Sequence, residues 1–182
     1  MKISGNFIYL KKIKISDALF TYNLRQIKSN SIYLHNPPKS IRDQKNWIIN
    51  NIKNKTSLDF IIYNISNNRK IGAIGFNNIT KKYAEWGRWI CNGNTIQNVE
   101  SALILLNYGF KKLRLKKIYS LTNINNKKVV NFHSKSFAKY KGLIKSKFFI
   151  KNIKVDAVNY EFDLTRLKRL KNKFKIMTQL TQ

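Results

Sequence analysis

Between Asn98 and Leu113 the apolar residues Val99, Ala102, Leu103, Leu106, Phe110 and Leu113 fall at i, i+3, i+4, i+7, i+11 and i+14. That spacing is one stripe of a four-turn helix. Ahead of it lie three β-like runs, Leu58 to Ile65, Lys70 to Ile79 and Tyr83 to Cys91, separated by Ser66-Asn67-Asn68-Arg69 and by Thr80-Lys81-Lys82. Polar connections this short join antiparallel neighbours. The centre of the chain is therefore an antiparallel meander followed at once by a long amphipathic helix, which makes this a mixed α+β protein.

The flanks extend the pattern. Asn6 to Ile13 reads as a strand, and Ser16, with Asp17 in the first turn, caps a helix whose spaced positions are Leu19, Tyr22 or Asn23, and Gln26 or Ile27. Past a polar loop through Pro37-Pro38, Ser40 caps a second helix carrying Ile41, Trp47, Ile48 and Ile52. After the central helix come a strand at Lys117 to Thr122, a helix at Lys127 to Phe137, and two strands at Lys147 to Ile153 and Val155 to Leu164. The order is β-αα-βββ-α-β-α-ββ, a sheet of six to seven mostly antiparallel strands with four helices. Residues 1–164 are expected to form a single domain. In the basic tail, 165–182, Leu164, Leu167, Leu170 and Phe174 form a partial helical stripe that suits either an interfacial helix or one docked on its own domain.

Composition narrows the class. With 182 residues and 43% apolar content the chain can bury a core of its own, and no run approaches the roughly 18 apolar residues a membrane span needs. A cytoplasmic location is expected. Cys91 is the sole cysteine, and His35 and His133 stand far apart, so neither a disulfide framework nor a metal site is expected. The net charge of +28 would ordinarily mark a polyanion-binding surface. Here Lys, Asn and Ile, with 29, 24 and 25 copies, dominate together and share A/T-rich codons, so a nucleotide bias is the preferred account of the charge over a selected polyanion surface. Only weak, non-specific nucleic-acid binding is expected, and either cause leaves a field that favours anionic ligands.

The element order over residues 6 to 164 is similar to the GNAT acetyltransferase fold. Glu85-Trp86-Gly87-Arg88-Trp89-Ile90 followed by Val99-Glu100-Ser101-Ala102-Leu103-Ile104-Leu105-Leu106 resembles the fourth strand and third helix of acetyltransferases near the ribosomal-protein and nucleotide-amino-sugar branches. Asn125-Asn126-Lys127-Lys128-Val129-Val130-Asn131-Phe132-His133 resembles their later Asn-led helix. The resemblance implies acetyl-CoA as co-substrate, with its pyrophosphate at Asn94, Thr95, Ile96, Gln97 and Asn98, where helix N–H groups and dipole suit an anion. It implies the pantetheine arm beside Ile90 and Cys91, held by Asn126. The glycines that usually open this phosphate loop are absent from 94–98. A capped helix without ligand is thus the alternative, and with it a GNAT-like module that has lost its chemistry.

Carried over by position, His133 stands where the family places the acid that protonates the departing thiolate, as a cationic imidazole would. The alternative is a structural histidine. Glu85, mid-strand, is the candidate base: alternation puts it on one face with Gly87 and Trp89, and burial among Trp86, Trp89 and Tyr83 would raise its pKa. A cross-strand ion pair with Lys or Arg88 is the competing role. Asp43 and Trp47 are expected on the acceptor side with Trp86, though helix packing alone would also explain Trp47. The expected reaction is direct transfer of acetyl to a primary amine, on an amino sugar carried by a nucleotide or on a protein N-terminus. A homodimer is among the expected assemblies.

Overall fold

The computed structural model describes residues 1–180. Its strands are β1 (Lys2–Ser4), β2 (Ile8–Lys12), β3 (Leu58–Asn64), β4 (Lys70–Asn77), β5 (Tyr83–Cys91), β6 (Lys117–Asn123), β7 (Lys139–Ile150) and β8 (Ile153–Phe162). The helices are α1 (Ala18–Gln26), α2 (Lys28–Ser31), α3 (Ile41–Lys53), α4 (Thr95–Lys111), α5 (Lys127–Lys135) and α6 (Leu164–Gln179), with a 3-10 turn at Ile15–Asp17. The expected α+β architecture holds, with a few more elements than the sequence pattern gives.

All strands join one sheet in the order β1-β2-β3-β4-β5-β6-β8-β7. Every neighbouring pair is antiparallel except β5 and β6, which run parallel. That exception follows from the α4 crossover, because only a long connection can return a strand in the same direction.

Alternation along the strands sends apolar side chains to both faces. Phe60, Ile62, Ile74, Phe76 and Trp86 pack with Leu105, Leu106 and Phe110 of α4 and with Leu167, Leu170 and Phe174 of α6. On the opposite face Ile61 meets Ile48 of α3, Ala18 of α1 and Ile13. Helix α6 thus inserts three of its four stripe residues into the main core, while Leu164 stays exposed.

Glu100 of α4 is buried and unreadable as a structural residue from the sequence. Its carboxylate accepts from the backbone N–H groups of Asn6 (2.6 Å), Phe7 (2.8 Å) and Ile8 (2.9 Å), fixing where β2 enters the sheet. Charge-assisted bonds to three donors offset the cost of burying the anion.

Among the boundaries that differ from expectation, those of β7 and α5 have a clear physical reason. Strand β7 starts at Lys139, eight residues before the apolar run, because its first half is an exposed edge rich in lysine, with register shifts at Tyr140/Gly142 and Ile144/Phe148. Edge strands carry such charges and bulges and so lack an alternating apolar signal. Helix α5 stops at Lys135, short of Phe137, which adopts a φ of 63°.

Candidate active site

Strands β5 and β6 pair over three residues only, Tyr83↔Lys117, Ala84↔Ile118 and Glu85↔Tyr119. Beyond Glu85 they separate. The cause lies on the other side of β5, where Gly75 pairs with Gly87 but Ala73 pairs with Ile90, so β5 carries one extra residue. Arg88 absorbs it with a φ of 51°. Such a bulge bends its strand and increases local twist. The gap widens into a cleft of about 720 Å³, walled by residues 85–90 of β5 and 120–123 of β6 and reaching α1, α3 and the 33–38 loop.

The bulge also reverses the side-chain phase. Ala84 and Trp86 face the α4 core, and so does Trp89, whose indole N–H donates to Ser101 Oγ of α4 (3.1 Å). Trp89 therefore does not share a face with Glu85. Trp86 is 2% exposed and packs edge-on against His133, Phe132 and Phe162, so its ring is core rather than the substrate contact expected of it.

Glu85 lines the cleft, but its neighbours are amides, not tryptophans. Asn77 Nδ2 (3.1 Å) and Asn78 Nδ2 (3.0 Å) both donate to its Oε2. Burial pushes its pKa above the usual carboxylate range; the two amides and the positive charges of Lys147 and Arg88 restrain that rise. Arg88, the expected ion-pair partner, is engaged elsewhere. Its Nη1 sits 2.7 Å from Asp59 Oδ2 and 2.9 Å from Asn51 Oδ1, and its guanidinium lies over the Trp47 ring at 5.2 Å. Asn51 Nδ2 also donates to Asp59. A Cβ at Gly75 would run into the Asp59 carboxylate, so glycine is required for this pair to form. Trp47 and Asp43 of α3 both line the cleft and both are exposed.

His133 lines the cleft wall from α5 but is 1% exposed, stacked on Tyr160 at 4.8 Å. Its Nε2 lies 3.0 Å from Ser120 Oγ and 3.2 Å from Thr122 Oγ1. Burial lowers its pKa to about 3, and no carboxylate stands by to restore the charge. The expected cationic acid is therefore corrected: at neutral pH this ring is uncharged, since its aromatic surroundings supply nothing to solvate an imidazolium.

The start of α4 is closed by its own side chains. Asn94 accepts from Gln97 N–H (3.0 Å) while Gln97 Oε1 accepts from Asn94 N–H (3.0 Å), and Asn98 Nδ2 donates to the carbonyls of Gly93 and Asn94 (2.9 Å each). This reciprocal cap leaves Thr95 and Ile96 as the first-turn N–H groups it does not occupy. Ile90 and Asn126 line the cleft, whereas Cys91 and residues 94–98 lie beyond its lining. Asn126 caps α5 through its carbonyl oxygen, accepting from Val129 N–H (3.3 Å), which leaves its Nδ2 to donate. Burial pushes the Cys91 thiol up, away from the thiolate a nucleophile needs. Among the described residues no His, Cys, Asp and Glu cluster could hold a metal, and no helix is long and apolar enough to cross a membrane.

Comparison with known proteins bears on this cleft. No curated protein matches the chain in sequence. In structure it is similar to a GCN5-related N-acetyltransferase from Brucella melitensis (12% identity, TM-score 0.85, covering 97% of this chain and 84% of that one). It is similar to the apo form of FdhC, a nucleotide-linked sugar GNAT (25% identity, TM-score 0.79, covering 96% and 97%). A third likeness is to spermidine N-acetyltransferase from Vibrio cholerae in complex with CoA and spermine (19% identity, TM-score 0.80, covering 90% and 99%). The acetyltransferase (GNAT) domain model matches residues 8–136, the stretch that builds β2 through α5 and both walls of the splayed β5/β6 opening, and so this chain belongs to the GNAT family of acyltransferases.

Proposed function

We propose that the chain moves acetyl from acetyl-CoA to a primary amine by direct attack within a ternary complex, and that the acceptor is an amino sugar carried on a nucleotide. The observation that carries this reading is Glu85: a carboxylate lining the cleft, made more basic by burial, with both amide donors on Oε2. Oε1 keeps its lone pairs to take a proton from the acceptor ammonium. A base whose pKa lies nearer neutrality does this more effectively than an ordinary surface carboxylate.

The residues present fit the co-substrate. Past Glu85 the β6-facing edge of β5 is unpaired, so backbone groups near Ile90 and Cys91 are open to an amide-bearing arm. Asn126 lines the same opening, with its Nδ2 left over from capping α5. The N–H groups of Thr95 and Ile96, with the positive end of α4, suit a pyrophosphate. Bound acetyl-CoA would supply the activated acetyl group and a thiol leaving group. His133, uncharged, shapes the wall and holds Ser120 and Thr122 in place rather than delivering a proton as a cation. For the acceptor, the likeness at 25% identity to a nucleotide-linked sugar GNAT and the positive field of the chain both favour an anionic amine carrier.

The self-closed, glycine-free start of α4 favours a second reading, a GNAT-like module without turnover. Thermal melting separates the two. Coenzyme A at a hundredfold excess over its Kd should stabilise the fold by about 2.7 kcal/mol, and a screen of acetyl-CoA consumption with amino-sugar nucleotides, peptides and polyamines should single out the first class. No melting shift at millimolar coenzyme A would sink the enzyme reading.

A further inference from the structure

The cleft holds two arginines with opposite circumstances. Arg88 is neutralised by Asp59. Arg25, in the last turn of α1, forms no ion pair among the described residues, although Asp43, Asp59 and Glu85 line the same cleft. Asp59 is engaged by Arg88 and Asn51, Glu85 by Asn77 and Asn78, and Asp43, in the first turn of α3, is exposed to solvent. Arg25 Nη2 donates to the carbonyls of His35 (2.7 Å) and, at the limit of reach, Asn36 (3.5 Å). Its Nε–H is buried without an acceptor. A guanidinium cannot shed its charge at physiological pH, so a half-buried one lacking a carboxylate is held at a cost unless an anion joins it.

We propose that Arg25 is the anion subsite of the acceptor arm, taking a phosphate oxygen of the acceptor through the part of its planar fork that the His35 and Asn36 carbonyls leave free. This rests on the acceptor reading above and sharpens it: the substrate is zwitterionic, its ammonium directed to Glu85 and its phosphate to Arg25. Arginine suits such a role because its donors match phosphate in pairs. A polyamine would meet the opposite arrangement, an uncompensated cation in its path. The two carbonyl bonds to the 33–38 loop orient the guanidinium, as preorganisation requires.

The test is calorimetric titration with coenzyme A saturating, so that the donor phosphate site is filled. Five nucleoside diphosphates (of adenine, guanine, cytosine, uracil and thymine) are compared with their parent nucleosides. The wild type should bind at least one diphosphate roughly 10- to 100-fold more tightly than its nucleoside, the span of one or two charge-assisted hydrogen bonds. Arg25→Gln keeps a donor for the His35 carbonyl but loses the charge, and should erase that preference while coenzyme A affinity and melting temperature hold. Arg25→Lys should keep part of it. A wild type that binds no diphosphate in preference to its nucleoside, or an Arg25→Gln variant that keeps the full preference, overturns the subsite. If the wild type turns over an amino-sugar nucleotide and Arg25→Gln leaves its KM unchanged, the subsite fails and the acceptor reading stands. If only polyamines or peptides are turned over, both fall.

Discussion

The two faces of β5 carry opposite chemistry on one backbone. On the α4 face, Trp86 and His133 sit in an aromatic cluster where the imidazole finds two hydroxyls and no charge, and its pKa falls to about 3. On the other face, Glu85 is half-buried, and two amides bind its carboxylate while Lys147 and Arg88 offset part of the desolvation. Burial alone therefore does not decide whether a group titrates usefully. What decides is whether the surroundings solvate the charged form. The aromatic face leaves the imidazole uncharged at neutral pH, whereas on the other face burial raises the Glu85 pKa and the two amides hold that rise back.

The largest test of that contrast is Glu85→Gln, which should lower kcat by roughly 100- to 10,000-fold while coenzyme A affinity stays near the wild-type value. Because burial raises this pKa, the acid limb of the wild-type pH–rate profile should stand above the usual carboxylate range, and the variant should lose it. For stability the sign is opposite: a raised folded pKa favours the protonated carboxyl, so the ionised form weighs on the fold above it. Glu85→Gln should melt no lower than wild type at pH 8. Steady-state kinetics and a melting series read both.

Next in size is the ion pair beside it. Arg88→Met would leave Asp59 buried without its cation and should cost about 3 kcal/mol, the low end for a broken buried pair. The low end applies because the Arg88 side chain is 35% exposed and solvent screens part of the loss. The double change with Asp59→Asn should recover much of that in urea denaturation. Full additivity would mean that the pair does not hold the bulge.

On the aromatic face, His133 binds no proton in the folded state until about pH 3, whereas unfolded it binds one near 6.5. Stability should therefore fall with decreasing pH between those values, by about 1.4 kcal/mol per unit for this one group. His133→Gln should flatten that slope and leave the pH–rate profile between pH 7 and 9 unaltered. An alkaline limb that vanishes in the variant would restore the cationic acid.

The smallest effect belongs to the cap of α4. Asn94→Ala should cost about 1 kcal/mol of stability. It should also free the Gln97 N–H, so coenzyme A affinity should hold or rise if the pyrophosphate sits there. A marked fall in affinity would instead make the Asn94 side chain a ligand contact.

Much of this was legible in the chain itself. The stripe from Val99 to Leu113, the short polar connections and the cap at Ser40 set most of the elements and their order, because local periodicity and capping report burial and end satisfaction within a few residues. The position of Glu85 mid-strand and of Asp43 and Trp47 on α3 was readable for the same reason: strand and helix registers are local. Sequence could also show that 94–98 lacks glycine, and the reciprocal Asn94–Gln97 cap is what that composition folds into.

Tertiary structure alone decided the rest. The bulge at Arg88 is a property of the β4–β5 pairing, and it turned Trp89 to the core face against strict alternation. Asp59, Asn51 and Gly75 meet Arg88 only after three strands and a helix assemble, and nothing in their spacing predicts it. His133 carries the same residue identity in either role, and its charge was settled by Trp86, Phe162 and Tyr160, which arrive from β5 and β8. Glu100 looked like one more helical carboxylate until the β2 backbone placed three N–H groups on it. Periodicity along a chain encodes which face is buried; the charge state of what is buried depends on partners distant in sequence, and those are fixed only when the sheet closes around them.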